Sequence, residues 1–267
     1  MTTESALDLT QRLIGFAACI TALEAAGARS LLPQQGLLSW RISRLRRVDT
    51  ATGSTGTILG FLFDGHRVWA TFFVRAALGC ALMFTDQTSL SALLCGALVA
   101  LILLSHLATP QGNDGSDQIT LISSTALLLA RLSPADSLAQ QACLAFIAAQ
   151  LTLAYFAAGV AKVFGPSWRA GTAVAEIVST RTYGAKWIAQ IARRRPGSFV
   201  CATYGTVLFE VAFPVVFLLP PSFTALFLGV AMSFHVCVAF LMGLNSFVFA
   251  FAATYPSIIW AQETLHS

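Results

Sequence analysis

Residues 138–164 read LAQQACLAFIAAQLTLAYFAAGVAKVF, from Leu138 to Phe164, with Lys162 as the only charged side chain in the run. A helix needs about 20 mostly apolar residues to cross the hydrocarbon layer of a membrane. This run exceeds that length, and its apolar residues are continuous rather than alternating. Backbone amides cannot be left unpaired in lipid, so a spanning segment is either a helix or part of a closed barrel. A barrel strand alternates apolar and polar positions. The stretch is therefore predicted to be a transmembrane helix.

The rest of the chain follows the same pattern. Of its 267 residues, 56% are hydrophobic and only 10% charged, with a mean hydropathy of +0.73. A soluble domain carries about a quarter charged residues, so this chain lacks the polar surface to face water on all sides. Eight candidate spans emerge: Thr10 to Ala28, Val68 to Phe84, Leu90 to His106, Ile119 to Leu132, Leu138 to Phe164, Phe199 to Leu219, Phe223 to Leu244, and Phe247 to Trp260. The first, fourth and eighth are the weakest, which sets a range of six to eight. The expected fold is an all-α polytopic transmembrane helical bundle in a single domain over residues 1–267. Glu4 and Asp8 precede Arg12, so the N-terminus lacks the basic leader of a secretory signal and the first run reads as a retained span.

Thirteen of the 16 basic residues fall in two segments, Arg29 to Arg67 and Lys162 to Arg195. Four candidate spans separate them, so both emerge on one side, which the positive-inside rule makes cytoplasmic. Charge that flanks spans suits lipid headgroups and argues against nucleic acid as a partner. The expected location is a multi-pass position in the cell (inner) membrane. Within these segments, Gly36 to Trp40 reads as an interfacial or re-entrant piece and Ala51 to Gly56 as a flexible loop. Glu176 to Arg195 reads as an amphipathic surface helix.

Ionisable groups inside spans cost a few kcal/mol each and are usually paired or functional. Glu24, Arg75, Lys162, Glu210 and His235 are such groups here. Tyr155, Gly159 and Lys162, at i, i+4 and i+7, share one helix face, and Ala158 and Gly159 let a neighbouring helix approach closely. A lysine there either snorkels to the interface or, desolvated, serves as a base. Gly165-Pro166 stops the helix, and Trp168 falls at headgroup level. The loop Gln111 to Gln118 emerges on the same side, so Asp114 or Asp117 is a candidate partner for Lys162, besides suiting an ordinary turn and helix cap. Glu210 and His235 are expected to hydrogen-bond to each other. The topology directs Asp114, Asp117, Lys162, Trp168, His235 and Asn245 toward one membrane face, as an active site or a buried ion network requires. One histidine without a close second ligand predicts no metal site. The six cysteines, none in a Cys-x-x-Cys, read as small apolar core residues.

The segment Tyr155 to Lys162 with Gly165, Trp168 and Gly171 resembles the HTTM or vitamin K-dependent gamma-carboxylase-like membrane family, within a broader DoxX- and MauE-like group. Glu210 with Pro214, Phe234-His235, Leu241 to Asn245 and the Asp114 to Gln118 loop extend the resemblance over about residues 10–260. It implies that Lys162 is a base acting on a quinone-like or lipidic molecule, with Glu210 and His235 shaping the pocket. Tyr155, Trp168, Gly171, Asp114, Asp117, Gln118 and Asn245 would contribute to substrate binding. The carboxylases have a histidine where Gln118 stands, carry a large soluble extracytoplasmic region, and work on the lumenal side. The resemblance therefore implies a membrane-embedded enzyme or redox accessory with a quinone-like cofactor, and not glutamate carboxylation itself. The alternative is a non-catalytic membrane subunit, DoxX- or MauE-like or immunity-type, whose polar residues hold helices or a membrane or peptide partner. A transporter would show paired broken helices or an inverted repeat, and neither is legible.

Overall fold

The computed structural model describes residues 1–27, 39–46, 52–109 and 113–267. Helix is the only extended regular structure among them. Six helices are long and apolar enough to cross a membrane: Thr3–Gly27, Arg67–Phe84, Thr88–Ala108, Leu138–Phe164, Pro196–Leu218 and Pro221–Met242. The chain is thus an all-α, multi-span protein, as its hydropathy predicts. It gathers into two compact units, one of Thr2–Leu144 with Phe249–Pro256, the other of Ala145–Val248 with Ser257–Ser267 and Met1.

The N-terminal unit contains α1 (Thr3–Gly27), α2 (Trp40–Arg46), α3 (Gly53–Phe63), α4 (Arg67–Phe84), α5 (Thr88–Ala108) and α6 (Gly115–Leu132). The long helices form a ring in which α1 packs on α4, α4 on α5, α5 on α6, and α6 back on α1. Neighbours in the ring run antiparallel. Gln11 Nε2 on α1 donates to the carbonyls of Leu82 and Thr85, whereas Cys19 Sγ, further along α1, lies 3.1 Å from the carbonyl of Ala76. The α1–α4 crossing is closest at Gly15 and Gly79, where small residues bring two backbones together, a common device in lipid. The fourth candidate span folds as α6, 18 residues long, but it is not among the helices apolar enough to cross a membrane. At about 1.5 Å per residue it covers roughly 27 Å. Its inward face carries Ser116, Thr120, Ser123 and Ser124 besides Ile119, Leu127 and Ala130, which dilutes its hydropathy.

Some expectations need correction here. Gly and Ser point to a loop over Ala51 to Gly56, but α3 begins at Gly53. Thr57 bonds back to the Gly53 carbonyl, and Leu59 and Phe63 pack with Trp40, Val68 and Ala108. Most of the expected re-entrant piece Gly36 to Trp40 lies outside the described residues.

The C-terminal unit takes α7 (Leu138–Phe164) from Ala145 onward. After it come the single turn α8 (Pro166–Arg169), α9 (Ala173–Ser179), α10 (Lys186–Arg194), α11 (Pro196–Ala212) and α12 (Pro221–Met242), then the first residues of α13 (Asn245–Ala252) and, from Ser257, α14 (Tyr255–Leu265). The expected amphipathic helix over Glu176 to Arg195 comes as two helices, α9 and α10. On α10, Ile188 and Ala192 are buried with Val178 and pack with Phe199 and Leu241, while Trp187 and Ile191 remain exposed. Beyond α11 the span continues as a 3-10 turn, Phe213–Leu218, because Pro214 cannot donate to the preceding turn. Gly243, at φ +73°, closes α12 in the left-handed conformation that glycine adopts without steric cost. The eighth candidate span is not one helix: the chain breaks at Ala253 and Thr254, between α13 and α14.

Candidate functional site

The residues that converge lie on α7, α11 and α12. On α7, Tyr155, Gly159 and Lys162 share a face, and that face meets α11 at Gly159. A Cβ at this position would fall 2.7 Å from the backbone nitrogen of Val211 and 2.9 Å from Cβ of Glu210. The small residue thus allows the close approach that its position suggests. It also sets the reach of the neighbouring side chains. Lys162 Nζ donates to Glu210 Oε2 at 2.6 Å and lies 5.3 Å from the centroid of the Trp168 ring, a cation–π arrangement. The carboxylate is the hidden partner, with its side chain 5% exposed against 21% for the lysine.

Two turns earlier on the same face, Tyr155 Oη and His235 Nε2 of α12 are 2.6 Å apart in a buried hydrogen bond. The expected Glu210–His235 bond does not form: Glu210 turns to α7 and His235 turns to Tyr155. Phe213 stacks on Tyr155, with ring centroids 4.0 Å apart and 15° between planes. Phe209 meets the same ring edge-on, and Phe247 lies parallel to the His235 ring at 6.1 Å. The tyrosine–histidine pair therefore sits in an aromatic shell, where a polar contact is undiluted by water.

Past the helix end, Gly165 fits against Trp168, whose Cδ1 would lie 2.8 Å from an added Cβ. Gly171 takes φ +76° with Val200 and Tyr204 at 3.2 to 3.3 Å from the Cβ it lacks, and the Tyr204 hydroxyl donates to the Arg169 carbonyl. The Gly-Pro turn thus ends α7 where the sequence reading places the stop. Asn245 is exposed at the start of α13.

Asp114, Asp117 and Gln118 belong to the N-terminal unit. Asp114 caps α6, accepting from the amides of Ser116 and Asp117, while Asp117 Oδ2 accepts from the Asp114 amide. This capping box is the helix-cap role that Ser116 and the two aspartates suit; the expected partner role for Lys162 goes to Glu210 instead. Gln118 is exposed.

A second ion cluster escapes a reading of the sequence. Arg131, with its side chain 2% exposed, bonds Glu4 and Asp8 at 2.5 Å each and Gln11 at 2.9 Å. The signal available was an arginine ending the fourth span while two acids open the first. Among the described residues no three His, Cys, Asp or Glu side chains gather as metal ligands would, and all six cysteines are free thiols.

Six apolar helices, with Lys162 and Arg131 each paired to acidic groups between helices, define a multi-pass α-helical integral membrane protein. No protein-family model matches the chain, and no curated protein and no solved structure shows significant similarity to it.

Proposed function

We propose that this chain is a cell (inner) membrane protein of the HTTM or gamma-carboxylase-like type that acts on a quinone-like or lipidic molecule, with Lys162 as the base. The observation that carries this reading is the Lys162–Glu210 contact at 2.6 Å, in which the carboxylate is buried and the amine retains access. A base must present a neutral amine. The buried Glu210 carboxylate, hydrogen-bonded to the amine, is the group placed to take that proton. Lys162 can then pass its proton to Glu210 Oε2 and accept one from a bound hydroquinone hydroxyl, leaving an ammonium beside the new oxyanion. Trp168 and the rings around Tyr155 and His235 supply flat apolar surfaces of the kind such a ligand favours.

A tight helix crossing at Gly159 favours a second reading, a non-catalytic membrane subunit in which the same ion pair clamps α7 to α11. The variant Lys162→Met separates the two. Glu210 then holds its own proton, and the variant is expected to remain folded. With purified protein in detergent and a short-chain naphthohydroquinone as probe, wild type is expected to quench tryptophan fluorescence saturably and to deprotonate the probe. Lys162→Met is expected to lose deprotonation while remaining folded, with the moderately lowered melting temperature that loss of one ion-pair partner brings. Folded wild-type protein that binds no quinone or hydroquinone overturns the first reading. Loss of folding or of partner recovery in Lys162→Met supports the second.

A further inference from the structure

Four buried polar atoms on α4, α5 and α6 have no hydrogen-bond partner among the described residues: Arg75 Nε, His106 Nε2, Ser123 Oγ and Ser124 Oγ. Arg75 is 8% exposed, Ser123 1% and Ser124 0%. Serines inside helices usually bond back to a carbonyl one turn earlier, as Thr120 does to Ser116, and these two do not. An unsatisfied buried group costs about 1–3 kcal/mol and calls for an explanation.

The fold brings these groups together. In the ring of α1, α4, α5 and α6, the helices α4 and α6 are opposite corners, and each turns a buried face to α1: Gly79 meets Gly15, and Arg131 meets Glu4, Asp8 and Gln11. Gln11 fixes their register, since it bonds both the Leu82 carbonyl on α4 and Arg131 Nε on α6. Arg75 and Ser124 each lie seven residues before those levels. At 1.5 Å per residue both sit about 10 Å further along the axis, at one depth. Leu127 and Ile14, 0% and 1% exposed, lie between this level and the Arg131 cluster. In the other direction Asp117 interacts electrostatically with both Arg75 and His106, and His106, Asn113 and Asp117 are part-exposed at the end of the ring. The result is a buried polar layer that holds a guanidinium, with an apolar layer between it and the Arg131 cluster.

All four atoms can donate a hydrogen bond, and Arg75 adds a fixed positive charge. Such a set matches an acceptor-rich anion rather than a cation. Donors on opposite helices suit a group with two acceptor oxygens. We infer that the core of this four-helix ring binds a small carboxylate between Arg75 and the Ser123–Ser124 pair, taken up together with one proton. The proton follows from charge balance. Asp117, nearer the end of the same ring, repels an entering carboxylate, which is therefore accommodated when Asp117 or His106 is protonated. The groups that act on Asp117 are Asp114 at the start of its own helix, Arg75 from α4 and His106 from α5.

Calorimetric titration of the full-length protein in nanodiscs tests this, with acetate as probe at pH 5.5 and 7.5 in buffers of different ionisation enthalpy. Saturable binding is expected, tighter at pH 5.5 by about tenfold or more and with uptake of one proton. Arg75→Gln is expected to weaken it more than about tenfold, and the Ser123→Ala/Ser124→Ala variant by about three- to tenfold. Asp117→Asn is expected to bind at pH 7.5 without proton uptake. A free short-chain acid and the headgroup of a fatty acid share this chemistry. Equal affinity for acetate and octanoate marks the first source, a preference for octanoate the second, and both uphold the site. The inference is overturned if folded wild type and Asp117→Asn bind no carboxylate, or if chloride binds as tightly as acetate. It is equally overturned if binding survives Arg75→Gln unchanged. Should Arg75→Gln fail to fold, undiminished acetate binding by the double serine variant overturns it instead.

Discussion

Gly15 on α1 and Gly79 on α4 meet backbone to backbone: a Cβ built on either would lie 2.5 Å from the carbonyl oxygen of the other. The contact is reciprocal and both obstacles are main chain, so no side-chain rotation relieves it. Helix association in lipid has little hydrophobic driving force and depends on such close packing.

Gly79→Ala is therefore expected to destabilise the protein by about 1–3 kcal/mol, the usual range for overpacking, and Gly79→Leu by more. Thermal melting in detergent measures the effect. Gly205, inside α11, has nothing within 4 Å of an added Cβ, so Gly205→Ala should be neutral or stabilise by up to about 1 kcal/mol. Equal melting temperatures for Gly79→Ala and wild type would contradict the account.

The Lys162–Glu210 pair predicts strong coupling. Removing one partner leaves the other buried or obliges it to change protonation, whereas replacing both with apolar groups removes both desolvation penalties. Lys162→Met and Glu210→Met are each expected to cost about 1–3 kcal/mol, less than a fully buried pair because the lysine is partly exposed. The double variant should be more stable than the sum of the two losses implies, with a coupling of about 1 kcal/mol or more in a double-mutant cycle. Additive losses would show that the two side chains act independently.

The spans and the pairs differed in how legible they were. Span positions rest on hydropathy, a local property, so Leu138–Phe164 and Arg67–Phe84 could be read from the sequence almost to the residue. Pairing depends on the rotation of one helix about another, which hydropathy does not encode. The sequence suggested His235 for Glu210 and Asp114 or Asp117 for Lys162, and the approach of α11 at Gly159 joins Lys162 to Glu210 instead. Arg131 and its acids lie more than 120 positions apart, and no local pattern joins them. The break between α13 and α14 was hidden because Ala253 and Thr254 are unremarkable in an apolar run. The start of α3 was hidden for the opposite reason, because loop-like residues open a helix that is anchored further on, where Leu59 and Phe63 pack with Trp40.

Outside the spans, Thr172 donates to Glu176 Oε1 at 2.5 Å. The hydroxyl of Thr172, and then that of Ser167, hold the Glu176 carboxyl below its ordinary range. A lowered folded value means that the contribution to stability is present above the unfolded value and fades as pH falls through the folded one. Thr172→Val should raise the Glu176 value back toward that of a free glutamate, which a carboxyl-carbon NMR titration reads directly. Because the group is fully exposed, the melting temperature should change little. An unshifted titration curve in Thr172→Val would remove the hydroxyl as the cause.

Arg131 ties the start of α1 to the end of α6 through three side chains at once, Glu4, Asp8 and Gln11. Its guanidinium presents donors in a fixed fork, and each of the three bonds uses a different nitrogen. A lysine offers one compact ammonium and cannot reproduce that geometry. Arg131→Lys is thus expected to cost about 1–2 kcal/mol, and Arg131→Leu, which leaves two acids facing a buried site, about 3 kcal/mol. Glu4→Gln should cost less than either, since Glu4 is 44% exposed and Asp8 continues to oppose the charge. The ordering of the three melting temperatures is the measurement. Arg131→Lys melting with wild type would mean that charge alone, and not the fork, holds α1 to α6.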